Sequence, residues 1–227
     1  MIRAVVFDFD GVIANSEPLH FRAFRDVLAE EAVALSERDY YARYLGFDDV
    51  GVFRTIGAEH GAAWTDAQVA SLVARKAVRL EDLEREGPVL FPGAEAAIRR
   101  LAAALPLAIA SGALRVEIMR VLNRTGLASY FGTVVAAEDT PASKPAPDPY
   151  LRAVRLLSAA TGVSLAAEEC VAVEDSRWGL ESARAAGLRT IAVTHTYPAE
   201  TLSLADLVIA DLDALDLANL NTIGTLT

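Results

Sequence analysis

The stretch Ala4-Val5-Val6-Phe7-Asp8-Phe9-Asp10-Gly11-Val12 decides the fold. Its apolar run has strand length and is continuous instead of alternating, the pattern of a parallel strand buried on both faces. The run ends in carboxylates at i and i+2, which strand alternation aims the same way, and Gly11 lets the chain turn sharply away. Two carboxylates converging at the end of an apolar strand are costly if unpaired, so the pattern asks for a metal ion or a proton. Ligands of open α/β sheets bind at the carboxyl ends of strands, where Asp8 and Asp10 would sit. For Asp-X-Asp-Gly alone, a turn with solvated aspartates is the bland alternative.

Outward from this stretch, further strand-length apolar runs recur at 107–111, 133–136, 170–174, 190–194 and 207–209. Helical periodicity fills 94–104, 115–125, 150–161 and 176–186, each segment long enough for a right-handed crossover between parallel strands. The fold expected is α/β, a doubly wound, Rossmann-like parallel sheet. The rhythm breaks once: from Asn15 to about Gly87 the pattern is helical without a convincing strand. We therefore expect a core over residues 1–14 and 88–227, interrupted by a helical insertion over 15–87.

The 227 residues, 53% hydrophobic and 23% charged, suit a globular chain and not a disordered one. No apolar run is long enough for a bilayer. The formal net charge of −10, with no basic cluster to offset it, argues against nucleic-acid and anionic-membrane partners. The N-terminus shows no export signal and the single cysteine, Cys170, reads as a buried thiol, so a cytoplasmic protein is expected. A monomer or weak homo-oligomer is the expectation for its assembly.

Two more strand ends and one loop carry candidate chemistry. Glu174-Asp175 is a second acidic pair after an apolar strand, and with Asp8 and Asp10 it could supply the oxygen ligands that magnesium prefers; a helix N-cap role for Asp175 or Ser176 is the simpler reading. Ser111-Gly112 offers a hydroxyl and unhindered amides ahead of a helix, either a phosphate cradle or ordinary turn chemistry. Lys144 lies in Ser143-Lys144-Pro145-Ala146-Pro147 and is one of only two lysines, with Lys76, among nineteen arginines. A compact ammonium fits between a carboxylate and a phosphoryl oxygen where a guanidinium fork would not. Asp148-Pro149 reads as the N-cap and first residue of the next helix.

In order and identity, Asp-X-Asp-Gly-Val, Ser after the second strand, Lys-Pro-X-Pro and Glu-Asp-Ser resemble the haloacid dehalogenase superfamily. The resemblance is to the subgroup with a helical cap after the first motif, and within it to the β-phosphoglucomutase and CbbY-type sugar phosphatase branch. It implies a phosphatase acting on a small phosphorylated metabolite, with Asp8 as nucleophile and Asp10 as general acid and base. Ser111, Gly112 and Lys144 would hold the phosphoryl oxygens. Magnesium would be bound by Asp8, the backbone carbonyl of Asp10 and Asp175, with Glu174 close by or directly involved. The second aspartate and the acidic pair disfavour a dehalogenase.

On the helix expected from Thr65 to Glu86, Lys76 falls inside the apolar stripe of Val69, Leu72, Val73, Leu80 and Leu83. Snorkelling is one reading; the other, favoured by the resemblance to β-phosphoglucomutases, is substrate contact. His20 resembles a mutase histidine that assists proton transfer, or else only packs. Leu45-Gly46-Phe47-Asp48-Asp49-Val50 departs from the mutases, which carry there an arginine for a second phosphate, so hydrolysis gains over a mutase reaction. Arg43 or Arg54 could compensate. Trp178, after the Glu-Asp-Ser motif, either lines the cap interface or packs in the core, and packing is the favoured reading. A phosphonatase would require a Schiff-base lysine that Lys76 does not convincingly match, and a non-catalytic phosphate-binding module is disfavoured by the complete set of motif carboxylates.

Overall fold

The computed structural model describes residues 1–44, 47–87 and 89–224. Leu45 and Gly46 of the loop expected to distinguish mutase from phosphatase, and Pro88 and residues 225–227 of the expected core, lie outside the described residues. The chain divides into two compact units, Met1–Asn15 with Leu90–Thr227, and Ser16–Val89.

The first unit is built on a sheet of β1 (Ala4–Phe7), β2 (Leu107–Ala110), β3 (Phe131–Val135), β4 (Cys170–Glu174), β5 (Arg189–Val193) and β6 (Leu207–Ile209). Their order is β3-β2-β1-β4-β5-β6 and every pair is parallel. This is the doubly wound arrangement read from the sequence, and its winding reverses at β1, between β2 and β4. Strand alternation explains the continuous apolar runs. Ala4 and Val6 join Tyr150, Ala153, Leu157 and Ala183 in one buried cluster, while Val5 and Phe7 point to the opposite face and are buried too.

β1 is shorter than expected. The Asp8 N–H still donates to Val173 O at 2.9 Å, but the Phe9 N–H turns to its neighbour's Oδ1 at 2.7 Å. The Phe9 carbonyl accepts from the N–H groups of Ile13 and Ala14, 2.9 and 2.8 Å away. Asp8 therefore closes the strand and Asp10 belongs to a tight turn, so turn geometry, and not strand alternation, directs Asp10.

In the second unit, α1 (Glu17–Glu30), the single turn α2 (Glu37–Asp39), a π-helical turn at Tyr40–Tyr44, α3 (Asp49–Glu59) and α4 (Asp66–Glu86) include no strand among the described residues. α4 opens on a capping box, with the side chain of Thr65 bonded to the Gln68 N–H and that of Gln68 to the Thr65 N–H. Its core centres on Phe24, whose ring meets Phe53 at 5.2 Å and Tyr40 at 5.8 Å. The sheet unit adds α5 (Ala94–Ala102), α6 (Arg115–Thr125), α7 (Asp148–Thr161), α8 (Arg177–Ala185) and α9 (Leu217–Gly224). α7 starts one residue earlier than read: Pro147 takes the N-cap and Asp148 is already helical. No described helix is long and apolar enough to cross a membrane.

Phe53 is fully buried. Phe53→Ala is expected to cost about 3–5 kcal/mol of helical-unit stability, read as a lower urea midpoint by circular dichroism.

Candidate active site

The register that pairs Phe7 with both Ile109 and Val173 brings three chain segments out of the sheet at one edge: Asp8, Ser111 and Glu174-Asp175. This is the switch point beside β1, where adjacent strands leave in opposite directions and open a crevice. Lys144, carried in by the loop before α7, occupies it. Its Nζ lies 2.9 Å from Asp8 Oδ1 and 2.6 Å from Glu174 Oε1, and 5.1 Å from the centre of the Tyr150 ring. Burial opposes the ammonium, but Asp8 and Glu174 outweigh it and raise its pKa above the ordinary lysine value.

Glu174 is fully buried and surrounded by donors. Oε1 accepts from Lys144 and from the Tyr150 hydroxyl at 2.7 Å; Oε2 accepts from the Ser176 hydroxyl at 3.1 Å and the Asp175 N–H at 3.2 Å. Gly179 makes room, since a Cβ there would lie 1.9 Å from the carboxylate. Ser176 is the α8 N-cap, accepting from the Gly179 N–H.

Oxygens of Asp8, Glu174 and Asp175 all lie within 4.8 Å of one another. Burial pushes Asp8 up to about 7, against the pull of Lys144 and helped by Glu174. Burial likewise pushes Asp175 up to about 8, with Glu174 and Asp8 adding to it and a hydrogen bond from Thr196 resisting. Three buried carboxylates sharing one ammonium form a site deficient in positive charge, and an all-oxygen donor set of this kind fits a hard divalent cation. Asp10 is one turn away. Gly11 follows at φ +77°, and a Cβ on it would lie 1.9 Å from Asp175 Oδ2, so only glycine lets the turn approach this carboxylate.

Ser111 is buried; its N–H donates to Val135 O at 2.9 Å and its Oγ accepts from the Ala113 N–H at 3.0 Å. Gly112 borders open space. The next amides are already engaged, that of Leu114 by Glu117 and that of Arg115 by Glu138, so an anion would find its donors at Ser111-Gly112 and not along α6 itself.

His20 and Lys76 meet in the helical unit. Lys76 is 1% exposed, which rules out snorkelling; it donates to Asp49 Oδ1 at 2.8 Å and His20 Nδ1 at 2.9 Å, and its Nζ lies 4.7 Å from the centre of the Phe24 ring. Glu17, raised by burial and bonded by the Tyr40 hydroxyl, feels the Lys76 charge. The arginines that could have compensated the acidic loop are engaged elsewhere, Arg43 with Glu59 and Arg54 with Asp66. Trp178 corrects the packing reading: it is 56% exposed on α8, edge-on to Tyr197 at 6.5 Å.

Several supporting residues escaped the sequence reading. Gly179 left a signal, a glycine inside a helical pattern. Tyr150, His195 and Thr196 left none, because their roles arise from non-local contacts.

The haloacid dehalogenase-like hydrolase family model matches residues 5–193. Protein CbbY of Rhodobacter capsulatus is 34% identical over 230 residues, covering 94% of this chain and 95% of that protein. Hexitol phosphatase B of Escherichia coli K12 is 32% identical, covering 85% of this chain and 83% of that protein. The crystal structure of CbbY from Rhodobacter sphaeroides in complex with phosphate superposes with a TM-score of 0.82 at 27% identity, covering 97% of this chain and 100% of that one. The chain belongs to the haloacid dehalogenase-like hydrolases, in their CbbY and β-phosphoglucomutase-like branch.

Asp8 and Asp175 hold their protons more tightly folded than unfolded. The stability they contribute is whole below the ordinary carboxylate value of 3.8 and is lost as pH rises through about 7 to 8. In chelator the melting temperature is expected to fall from about pH 5 to about pH 8, and an added hard divalent cation to raise it more at the higher pH. A metal-free melting temperature that climbs over this range would contradict the charge deficit.

Proposed function

We propose that this protein is a magnesium-dependent phosphatase that hydrolyses a small sugar or polyol monophosphate through an aspartyl-phosphate on Asp8. The observation that carries the reading is Lys144 bridging Asp8 and Glu174 at the switch point, with Asp175 completing the acidic group. The relatives add support, one being a hexitol phosphatase and one a CbbY that binds phosphate.

Asp8 Oδ1 is held by Lys144 and by the Phe9 N–H, which leaves Oδ2 to attack phosphorus. As the Asp8–phosphorus bond forms and the bond to the sugar oxygen breaks, Asp10 gives that oxygen its proton. Asp10 then takes a proton from water, whose oxygen displaces Asp8 and releases phosphate. Lys144, the Ser111 hydroxyl and the Gly112 amide neutralise the transferring oxygens. Asp8, Asp175 and the Asp10 carbonyl would hold the magnesium ion, which when bound offsets charge on the phosphoryl group. Glu174, whose oxygens already serve Lys144 and the start of α8, fixes that ammonium in place.

Residues 15–87 are read as the substrate-selecting cap, with His20 and Lys76 as its candidate substrate residues. Asp49 in ion pair with Lys76, where the mutase resemblance calls for an arginine, favours a monophosphate ester over a bisphosphate.

The test is phosphate release from a panel of hexose and hexitol phosphates with magnesium. Asp8→Asn is expected to abolish release, and Asp10→Asn to slow it about 10²–10⁴-fold. Lasting release in Asp8→Asn would sink the covalent route. Glucose 1-phosphate with a bisphosphate activator should yield no glucose 6-phosphate; its appearance would instead establish the mutase.

A further inference from the structure

The turn that carries Asp10 is braced by residues outside all four sequence motifs. Within the turn the Gly11 N–H donates to Ala14 O at 3.0 Å. The Gly11 carbonyl is bonded to His195 Nδ1, 3.0 Å away. A carbonyl only accepts, so this nitrogen carries the ring proton. The imidazole lies against the Phe91 ring, centroids 4.0 Å apart and planes 18° from parallel, and the Phe91 N–H in turn donates to Ile13 O at 3.0 Å. Ring and hydrogen bond therefore fasten to the same turn from two sides. The next residue, Thr196, bonds the Asp175 carboxylate. Two consecutive residues leaving β5 thus hold the Gly11 peptide and one wall of the acidic group.

Gly11 is where such a brace matters. Glycine has access to a wide range of backbone angles, and the direction of its carbonyl reports how the chain turns at Gly11, directly after Asp10. We propose that His195 is a positioning residue: its hydrogen bond to the Gly11 carbonyl fixes the Asp10 turn in the conformation that presents the Asp10 carboxyl to the reacting oxygens. This rests on the phosphatase reading only through the role of Asp10; the structural half stands by itself.

Two variants separate the hydrogen bond from the ring. His195→Phe keeps an aromatic face for Phe91 and removes the donor. His195→Asn keeps a donor near the place of Nδ1 and removes the ring. With p-nitrophenyl phosphate and magnesium, His195→Phe is expected to lose roughly tenfold in kcat, the worth of one hydrogen bond, at unchanged KM. His195→Asn should recover most of that loss. Amide hydrogen exchange in the Asp10–Ala14 turn should quicken in His195→Phe and return toward wild type in His195→Asn. Wild-type kcat in His195→Phe, or equal loss in both variants with a matching fall in melting temperature, would overturn the proposal and leave the ring a packing role. If the wild type releases no phosphate from any substrate, the phosphatase reading fails instead; unchanged exchange in His195→Phe then overturns the brace by itself.

Discussion

One ammonium between two buried carboxylates organises the sheet unit. Lys144 reaches Asp8 from β1 and Glu174 from β4, and so ties the loop before α7 to the two strands at which the winding reverses. A buried charge left without a partner is strongly destabilising, whereas a paired and fully hydrogen-bonded one is tolerated. Glu174 meets that condition through Lys144, Tyr150, Ser176 and the Asp175 amide, in space that only a glycine at 179 leaves open.

That pairing leaves the remaining carboxylates short of positive charge, and the shortage gives the site its chemistry. Asp175 and Asp8 are both pushed upward by burial, and the turn at Gly11 brings the chain against Asp175 where no side chain could fit. Such a group of oxygens suits a hard cation. Lys144 and the hard cation that such a donor set fits would supply positive charge locally, so a net charge of −10 over the whole chain does not exclude an anionic substrate.

The helical unit solves a similar problem with the chain's other lysine. Lys76 is enclosed by Asp49, His20 and the Phe24 ring, so both lysines in the sequence sit in buried polar groups. Arginines instead make exposed pairs such as Arg85 with Glu81 and Arg177 with Glu181. An ammonium is a compact point charge with three rotatable donors, and in both pockets it is met by polar partners.

The sequence by itself determined the parallel α/β sheet, because strands buried on both faces must be continuously apolar, and it determined the helical unit from the missing strands. It also marked Asp8, Asp10, Ser111 and Glu174-Asp175, because polar groups at the ends of such strands stand out against apolar neighbours, and Lys144, because lysine is rare in this chain. Only the tertiary structure decided how these residues are held. It ended β1 at Phe7, moving Asp10 onto a turn, and showed Glu174 enclosed by donors that include Tyr150, 24 residues away along the chain. It also set His195 against Gly11 across 184 residues and put Lys76 in a closed ion pair instead of at the surface. Periodicity and motif spacing report on neighbours along the chain; these contacts join residues that the sequence keeps apart and only packing brings within hydrogen-bond reach.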